Sequence, residues 1–272
     1  MYLAIDIGGT KTLLGVFSAD GKIQQTIRFE TSKKYPDFLT ALEDSVAKLT
    51  TKDFSICAVG VPGILDRKRG IAIAFGNLDW RNKPIEADIE AIVKAPVLIE
   101  NDAKLAGLSE AKLLTNDFEK VLYVTISTGI GVGLITNGVI NADLSDAGGK
   151  TMLLEHDGKL QPWEDFASGK AIVKRFGKQA SEIDDPDSWK IITQNIAVGL
   201  LGLIALLQPD VVIIGGGVGT HFDKFGQELA QTLKKYETPM MPIPPLKKAS
   251  RPEEAVLYGC FELARNHSKI IL

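Results

Sequence analysis

The stretch YLAIDIGGTKTLLGVF, residues 2–17, contains two aliphatic segments that flank a pair of glycines. Tyr2–Ile7 and Thr12–Phe17 have the composition of β-strands, and the glycines between them predict a tight hairpin turn. A second turn signal, Asp20-Gly21, precedes a third predicted strand at Ile23–Phe29. The chain is therefore predicted to open with a β-meander.

The first glycine turn carries more polar groups than a hairpin needs. Gly8 and Gly9 allow the backbone to approach a ligand closely, and successive exposed N–H groups form a nest that binds anions. Thr10 adds a hydroxyl group and Lys11 adds a cation for phosphate oxygens, while Asp6 precedes the turn. A plain hairpin turn is the alternative interpretation, and the Thr-Lys pair favours a phosphate site.

The rest of the chain alternates predicted strands and helices in two tandem halves. In the second half, a strand at 121–126, a glycine-rich turn and a returning strand repeat the opening hairpin, and 141–159 is predicted to be an inserted loop. This pattern predicts a duplicated α/β architecture with a cleft between an N-terminal domain, residues 1–113, and a C-terminal domain, residues 114–272. A closing helix at 253–266 could pack back on the N-terminal domain.

The composition favours an ordinary globular enzyme. The 272 residues are 45% apolar and 24% charged with a formal net charge of −3, so nothing indicates nucleic acid or a membrane surface as a partner. The N-terminus lacks the basic leader of a signal peptide, and the longest apolar run, 196–207, is shorter than the ~20 residues that span a bilayer. That run predicts a buried helix at 188–207, with Ser188 as its N-cap. We therefore expect a cytoplasmic protein.

The cysteine content points to a reducing compartment. Cys57 and Cys260 are the only two cysteines, and both lie in apolar segments. Two buried free thiols are favoured over a disulfide bond. Because the chain also has only three histidines and no paired-cysteine motif, the sequence predicts no structural zinc site.

Two further glycine-rich turns follow predicted strands. Ser127, Thr128 and Gly129 begin the stretch STGIGVG, which has more glycines and hydroxyl groups than a hairpin requires. Gly216 and Gly217 end the stretch VVIIGGG, and ligands of parallel sheets bind beyond the carboxyl ends of strands. Each turn alone is also compatible with an ordinary tight connection. The P-loop pattern is absent, and a strand after STGIGVG excludes the dinucleotide-binding pattern there.

An acidic motif follows a later apolar strand. Glu100-Asn101-Asp102-Ala103 opens a predicted helix, and an N-cap is one interpretation of Asp102. In the other, which we favour, this carboxylate projects from the strand end and takes the proton of a sugar hydroxyl as the oxygen attacks phosphorus. Asn101 beside it offers a donor and an acceptor, which suits a vicinal diol.

Two aromatic segments also carry polar groups that suit a sugar. Asn77-Leu78-Asp79-Trp80 combines an amide, an acid and an aromatic ring, whereas Trp163-Glu164 combines an aromatic ring with a carboxylate. Core packing and contact with a sugar explain these two segments about equally well.

In this order along the chain, the motifs resemble those of the ROK family of sugar kinases, which has the two-domain, actin-like ATPase fold. DIGGTK at 6–11 and STGIGVGLI at 127–135 are similar to its two phosphate motifs, and VVIIGGG at 211–217 is similar to its adenosine motif. The resemblance implies that Asp6, Gly8–Lys11, Ser127–Gly129, Gly216 and Gly217 bind ATP. It further implies Mg²⁺ on the phosphates, with Asp6 assisting through water.

The acidic and aromatic segments resemble the family's catalytic and sugar-site motifs. ENDA at 100–103 implies that Asp102 is the general base and that Asn101 binds the sugar. GVPG at 60–63 and NLDW at 77–80 imply sugar contacts for Gly63 and Asn77. WEDFASGKAI at 163–172 implies the same role for Glu164.

The sequence departs from the family pattern in two places. The family's Gly-Glu-x-Gly-His motif corresponds here to AGGKTM at 147–152, and Glu155 and His156 follow at the wrong spacing to take over its sugar contacts. The family's zinc-binding cysteine cluster is replaced by DGKLQP at 157–162, so packing or hydrogen bonds are expected to hold this segment.

The resemblance implies an ATP-dependent kinase that phosphorylates glucose or a related hexose. In this hypothesis ATP lies between the two halves, and Asp102 takes the proton of the acceptor hydroxyl. A polyphosphate-dependent glucokinase and a non-catalytic sugar sensor are the alternatives. The helix-turn-helix module of family repressors has no counterpart before the first strand. We also expect a homo-oligomer, a dimer.

Overall fold

The computed structural model describes residues 1–114, 118–251 and 253–271. The chain divides into two units by its internal contacts. The first unit comprises Met1–Ser109 together with Glu253–Leu272, and the second comprises Glu110–Pro252. The chain therefore leaves the first unit once and returns to it once, and its closing helix belongs to the first unit.

The first unit is built on β-sheets with helices packed around them. Its elements in chain order are β1 (Tyr2–Ile7), β2 (Lys11–Phe17), β3 (Ile23–Glu30), α1 (Tyr35–Ala47), β4 (Ile56–Val61), β5 (Gly63–Asp66), β6 (Ile71–Phe75), β7 (Arg81–Lys83), α2 (Ile85–Val93), β8 (Val97–Asn101), α3 (Asp102–Ala111) and the closing helix, Ala255–Ile271. The main sheet has the order β3-β2-β1-β4-β8, and β5-β6-β7 form a small antiparallel sheet. β1, β2 and β3 pair antiparallel, which confirms the predicted meander, whereas β4 and β8 continue the sheet parallel to β1.

The second unit contains a similar sheet. Its elements in chain order are β9 (Lys120–Ile126), β10 (Ile130–Thr136), β11 (Val139–Ile140), β12 (Leu153–His156), β13 (Lys159–Pro162), α4 (Trp163–Ala167), α5 (Gly169–Phe176), α6 (Pro186–Leu207), β14 (Val211–Gly215), α7 (Gly216–Gly219), α8 (Phe222–Lys234) and β15 (Leu246–Lys248); the closing helix of the first unit is α9. The main sheet has the order β11-β10-β9-β14-β15, and β12 and β13 form a separate hairpin.

The two main sheets share one topology. In each, an antiparallel meander is extended by two parallel strands, β4 and β8 in the first unit and β14 and β15 in the second. Every residue of β4 and of β14 is buried, because helices cover a sheet of this kind and its central parallel strands read as continuous apolar runs. The duplicated α/β architecture predicted from the sequence is therefore present.

The long helix α6 begins earlier than predicted. Its N-cap is Asp185, whose carboxylate accepts a hydrogen bond from the Ser188 backbone N–H at 2.8 Å, so Ser188 lies inside the helix. The helix has 22 residues, and by length and apolar composition alone it could cross a membrane, although 44% of its most apolar window is buried inside the unit. The buried face, which includes Trp189, Ile196 and Leu200, packs into the core of the second unit.

Three segments differ from their predicted conformations. The segment expected to be a loop at 141–159 contains β12 and the start of β13, because the Asp157-Gly158 turn closes a hairpin with both residues at positive φ. β10 begins at Ile130, so the second glycine turn is limited to 127–129 and the later glycines lie in a strand. The third glycine turn opens the short helix α7.

Candidate functional site

Three predicted site segments of the first unit follow neighbouring parallel strands. The turn at 8–10 follows β1, Gly63 comes just after β4, and Asp102 comes just after β8. β4 lies between β1 and β8, with Asp6 opposite Gly60 and Val61 opposite Asn101. Since the carboxyl ends of parallel strands meet at one edge of a sheet, these segments share that edge.

The first glycine turn lies against the predicted sugar residue Asn77. The Gly8 N–H donates to the Lys11 carbonyl O at 2.9 Å, and a Cβ at Gly8 would lie 2.6 Å from that oxygen, so only glycine fits there. A Cβ at Gly9 would lie 2.9 Å from the Asn77 Cβ. Asn77 and Lys11 are both exposed, so both side chains are available to a ligand of the first unit.

Asn101 connects Gly63 to the start of α3. Its Nδ2 donates to the Gly63 carbonyl O at 3.1 Å, and its Oδ1 accepts from the Lys104 backbone N–H at 3.2 Å. Asn101 is therefore the side chain that caps α3, and the N-cap interpretation of Asp102 is wrong. Asp102 is the first residue of the helix, partly buried, with Oδ1 accepting from the Ala103 N–H at 2.8 Å.

Asp6 and Asp102 are electrostatically coupled. Burial, and secondarily the negative charge of Asp102, raise the pKa of Asp6 from 3.8 to about 7. Two carboxylates that repel each other at the edge of a sheet form a site that a cation would stabilise, and carboxylate oxygens are the protein ligands that Mg²⁺ prefers. The residues present therefore fit a magnesium ion, with Asp6 as the side chain that would hold it.

In the second unit, Glu164 lies directly under the turn at 127–129. The Ile130 N–H donates to Glu164 Oε2 at 2.9 Å, and a Cβ at Gly129 would lie 2.4 Å from the same oxygen. The Ser127 carbonyl O accepts from the Gly169 N–H at 2.7 Å, so the turn is also fixed to the start of α5. Glu164 thus supports the turn, in addition to any contact that it makes with a ligand.

The third glycine segment lies beside that turn. β14 is parallel to β9, and Gly215 pairs with Thr125, so Gly216 and Ser127 follow adjacent strand ends. Gly216 has a φ of 79°, and a Cβ there would lie 2.5 Å from the Ile126 carbonyl O. At Gly217, by contrast, a Cβ would meet no atom within 4 Å, so its backbone faces open space.

A cavity of 760 Å³ opens between these two segments of the second unit. It has polar, apolar and basic walls, and its lining includes Ser127, Thr128, Gly217, Val173, Lys170 and His221. Burial, together with Lys224 and Lys248, lowers the pKa of His221, so its ring is neutral near pH 7 and can donate and accept one hydrogen bond each. The sequence did not indicate α5 or His221, although Ser168 before Gly169 is a recognisable N-cap signal.

The comparison with known proteins agrees with this arrangement. The family model described as "ROK family" matches residues 2–267. The chain belongs to the ROK family. It is 26% identical to a glucokinase from Streptomyces coelicolor over 320 residues, covering 100% of this chain and 99% of the relative. It is 27% identical to an N-acetyl-D-glucosamine kinase from Haemophilus influenzae, covering 97% of this chain and 99% of the relative.

The fold comparison gives the same family. The crystal structure of a ROK family glucokinase from Streptomyces griseus, in complex with glucose and AMPPNP, matches with a TM-score of 0.82 and 25% identity. The match covers 97% of this chain and 99% of that chain. It confirms the actin-like ATPase fold predicted from the motifs.

In this ROK chain a network of hydrogen bonds holds α4, the helix that contains Glu164. Asn195 Nδ2 donates to the Phe166 carbonyl O at 2.9 Å, and Asn195 Oδ1 lies 3.1 Å from His156 Nε2. The His156 ring stacks on Phe166 with 4.1 Å between ring centroids, and the Trp163 indole N–H donates to the Asn195 carbonyl O at 3.0 Å. His156 and Asn195 therefore fix α4, the helix that carries Glu164.

Glu155, in the β12–β13 hairpin, and the two buried cysteines have no assigned contact with a ligand. Glu155 Oε1 accepts from the Gly158 N–H at 2.8 Å and so stabilises the β12–β13 turn. Cys57 and Cys260 are buried free thiols, and burial raises the pKa of each. Within the described ranges, no three or more His, Cys, Asp or Glu side chains group closely enough to hold a metal ion.

The Asn195 network gives a first testable prediction. Asn195→Ala is expected to lower the free energy of unfolding by about 1 kcal/mol, because the mutation leaves partly buried polar partners of the amide unsatisfied. Urea denaturation of the full protein measures the change, with the fluorescence of the tryptophans, among them Trp163 and Trp189 of the second unit, as the signal. Gln194→Ala, an exposed neighbour on α6, is the control and should change stability little. Equal effects of the two substitutions would show that the network does not stabilise α4.

Proposed function

We propose that this protein is an ATP-dependent kinase that phosphorylates a hydroxyl group of a hexose, with Asp102 as the general base. The observation that carries the proposal is the coupled pair of carboxylates, Asp6 and Asp102, at the strand edge that also carries the first glycine turn. A base at this edge suits phosphoryl transfer, in which the protein mainly positions the reactants and stabilises charge.

The proposed roles in the first unit follow from the contacts of each residue. Asp102 orients the acceptor hydroxyl and accepts its proton as the oxygen attacks phosphorus. Asn77 and Asn101 hydrogen-bond to the sugar. Asn101 also keeps Gly63 in place, because its Nδ2 donates to the backbone carbonyl O of Gly63. The N–H groups of Gly8 and Gly9, with the Thr10 hydroxyl and the Lys11 ammonium group, bind phosphate oxygens.

In the second unit, the proposed ligands of the nucleotide are the exposed groups that line the cavity. Ser127 and Thr128, which line the cavity, present hydroxyl and N–H groups to the phosphates, and Gly217 leaves room for the adenosine. Gly129 and Gly216, which flank these lining residues, are proposed to contribute backbone groups to the same two subsites. Glu164 contacts the sugar with the carboxylate that also accepts from Ile130. A magnesium ion bound with ATP would neutralise charge on the phosphates, and Asp6 is the residue that would hold it, with water between them.

The shape of the cavity favours ATP over polyphosphate as the donor. Val173, Ala180 and Val218 give it an apolar wall beside Gly217. A purine base has a flat apolar face that such a wall can cover, whereas polyphosphate is a chain of anions with nothing to bury there. The related Streptomyces griseus structure contains the ATP analogue AMPPNP, which is in line with this choice.

The acceptor is proposed to be glucose or a related hexose. The two relatives described above are named for glucose and for N-acetylglucosamine, and both are similar to this chain over nearly its full length. The Gly-Glu-x-Gly-His motif is missing at 147–152, where Gly148–Lys150 forms a short 3₁₀ turn instead. The preferred sugar is therefore expected to depend on contacts other than those of that motif.

A sugar panel in an ADP-release assay tests the proposal and its rivals. Wild-type protein with ATP and Mg²⁺ should release ADP only when an accepted hexose is present. Formation of sugar phosphate from polyphosphate, with no ADP released from ATP, would establish the alternative donor. Sugar binding without any phosphoryl transfer from either donor would establish a sugar sensor and overturn the kinase proposal. A homodimer and a cytoplasmic location stay predictions from the sequence.

A further inference from the structure

We infer that Arg67 and Glu100 form a positioning pair that sets the place of the peptide carrying Asn101 and Asp102. This inference rests on the proposed function of Asp102. The sequence gives no sign of it, because the two residues are 33 positions apart. Neither side chain is assigned a contact with sugar or nucleotide; the pair acts through the backbone of the catalytic segment.

The contact between the two side chains is bidentate. Arg67 Nε donates to Glu100 Oε2 at 2.9 Å, and Arg67 Nη2 donates to Glu100 Oε1. The Glu100 side chain is 8% exposed and that of Arg67 is 27% exposed. A planar guanidinium group with two hydrogen bonds fixes both the place and the rotation of a carboxylate, which a lysine cannot do.

Glu100 passes this constraint to the next peptide. Glu100 Oε1 also accepts from the backbone N–H of Asn101 at 2.6 Å. β8 is the edge strand of its sheet, so N–H groups on its outer side have no neighbouring strand to bond to. Asn101 is 3% exposed, and its N–H therefore needs a partner from the protein, which Glu100 provides.

The same peptide is held from its other side by the Asn101 side chain. Its contacts with the Gly63 carbonyl O and the Lys104 N–H fix the entry into α3. With the main chain and the side chain of Asn101 both fixed, the direction in which Asp102 leaves the backbone is determined. A displacement of about 1 Å at a reacting group can lower a rate ~100-fold, so this constraint is expected to affect turnover.

A second ion pair on the same turn provides a matched control. Arg69 Nη1 lies 3.9 Å from Asp66 Oδ2, and the Arg69 side chain is 72% exposed. An exposed pair at this distance contributes little to stability. Arg67→Met and Arg69→Met thus remove the same chemical group two residues apart, but only the first removes a contact with the catalytic segment.

The experiment compares wild type, Arg67→Met, Arg67→Lys, Arg69→Met and the double variant Arg67→Met/Glu100→Gln by steady-state kinetics. Arg67→Met should lower kcat about 10–100-fold while KM for ATP changes by less than about threefold. Arg69→Met should behave as wild type, and Arg67→Lys should recover only part of the loss. The double variant should be at least as active as Arg67→Met, because the amide of glutamine still accepts from Asn101 and no unpaired buried charge remains.

An Arg67→Met variant that folds and has the kcat of Arg69→Met would overturn the inference. A double variant that is clearly less active than Arg67→Met would overturn it as well. If wild type transfers no phosphoryl group, the proposed function fails separately, and amide hydrogen exchange at 97–105 decides the inference instead. Arg67→Met must then accelerate exchange of the Asn101 N–H relative to Arg69→Met; equal exchange rates would overturn it.

Discussion

Asp102→Asn is expected to lower kcat by about 10²–10⁴-fold, the usual contribution of a general base. Asparagine has nearly the same shape and keeps an oxygen that can accept from the Ala103 N–H, but it cannot take the proton of the acceptor hydroxyl. KM for ATP and for the sugar should change little, since the loss lies in the transition state. Initial rates of sugar-dependent ADP release, with circular dichroism as a check of folding, measure this effect.

Asp37→Asn is the control for this substitution. Asp37 is exposed in the first turn of α1, so the variant makes the same chemical change away from the site. It should retain wild-type kcat. A folded Asp102→Asn protein with turnover close to that of Asp37→Asn would refute the assignment of the base.

Asp6→Asn is expected to change activity and stability in opposite directions. Burial and the charge of Asp102 raise the pKa of Asp6 from 3.8 to about 7. At a pH between these two values, Asp6 is therefore protonated in the folded protein but ionised in the unfolded chain. The contribution of Asp6 to the free energy of unfolding therefore falls as pH rises from about 4 to 7. Above pH 7 the ionised Asp6 lowers stability by on the order of 2–4 kcal/mol.

Asp6→Asn removes the unfavourable negative charge of the ionised Asp6. Asp6→Asn should be more stable than wild type at pH 8, and the difference should be smaller at pH 5. Its kcat/KM should nevertheless fall by about 100-fold or more, because the group proposed to hold the magnesium ion is gone. Urea unfolding at pH 5 and pH 8 and ADP release at pH 8 measure the two effects. Equal stability gains at both pH values, or a fully active variant, would contradict this account of Asp6.

The parts of the site that the sequence predicted are those that depend on neighbouring residues. The turn at Gly8, the acid at Asp102 and the turn at 127–129 are all local signals, and each follows a strand as expected. The parallel order β1-β4-β8 then brings the first two together at one edge. Fold and candidate base could thus be derived from motifs and their order.

The parts that the sequence did not predict depend on contacts between distant residues. The Arg67–Glu100 pair, the Asn195–His156 contact and the cavity wall formed by α5 join positions far apart in the chain. The motif suggested Asp102 as a possible cap of α3 and did not point to Asn101, although both residue types cap helices well. Only the geometry shows that Asn101 accepts from Lys104.

The central claim is that this chain transfers the terminal phosphoryl group of ATP to a hexose with Asp102 as base. The most direct measurement is ³¹P NMR or mass spectrometry of the products after incubation with ATP, Mg²⁺ and each sugar of a panel. The account predicts one sugar phosphate formed in equal amount to ADP by wild type, and at least about 100-fold more slowly by Asp102→Asn. ADP with inorganic phosphate and no sugar phosphate, or equal sugar phosphate from both proteins, would contradict it.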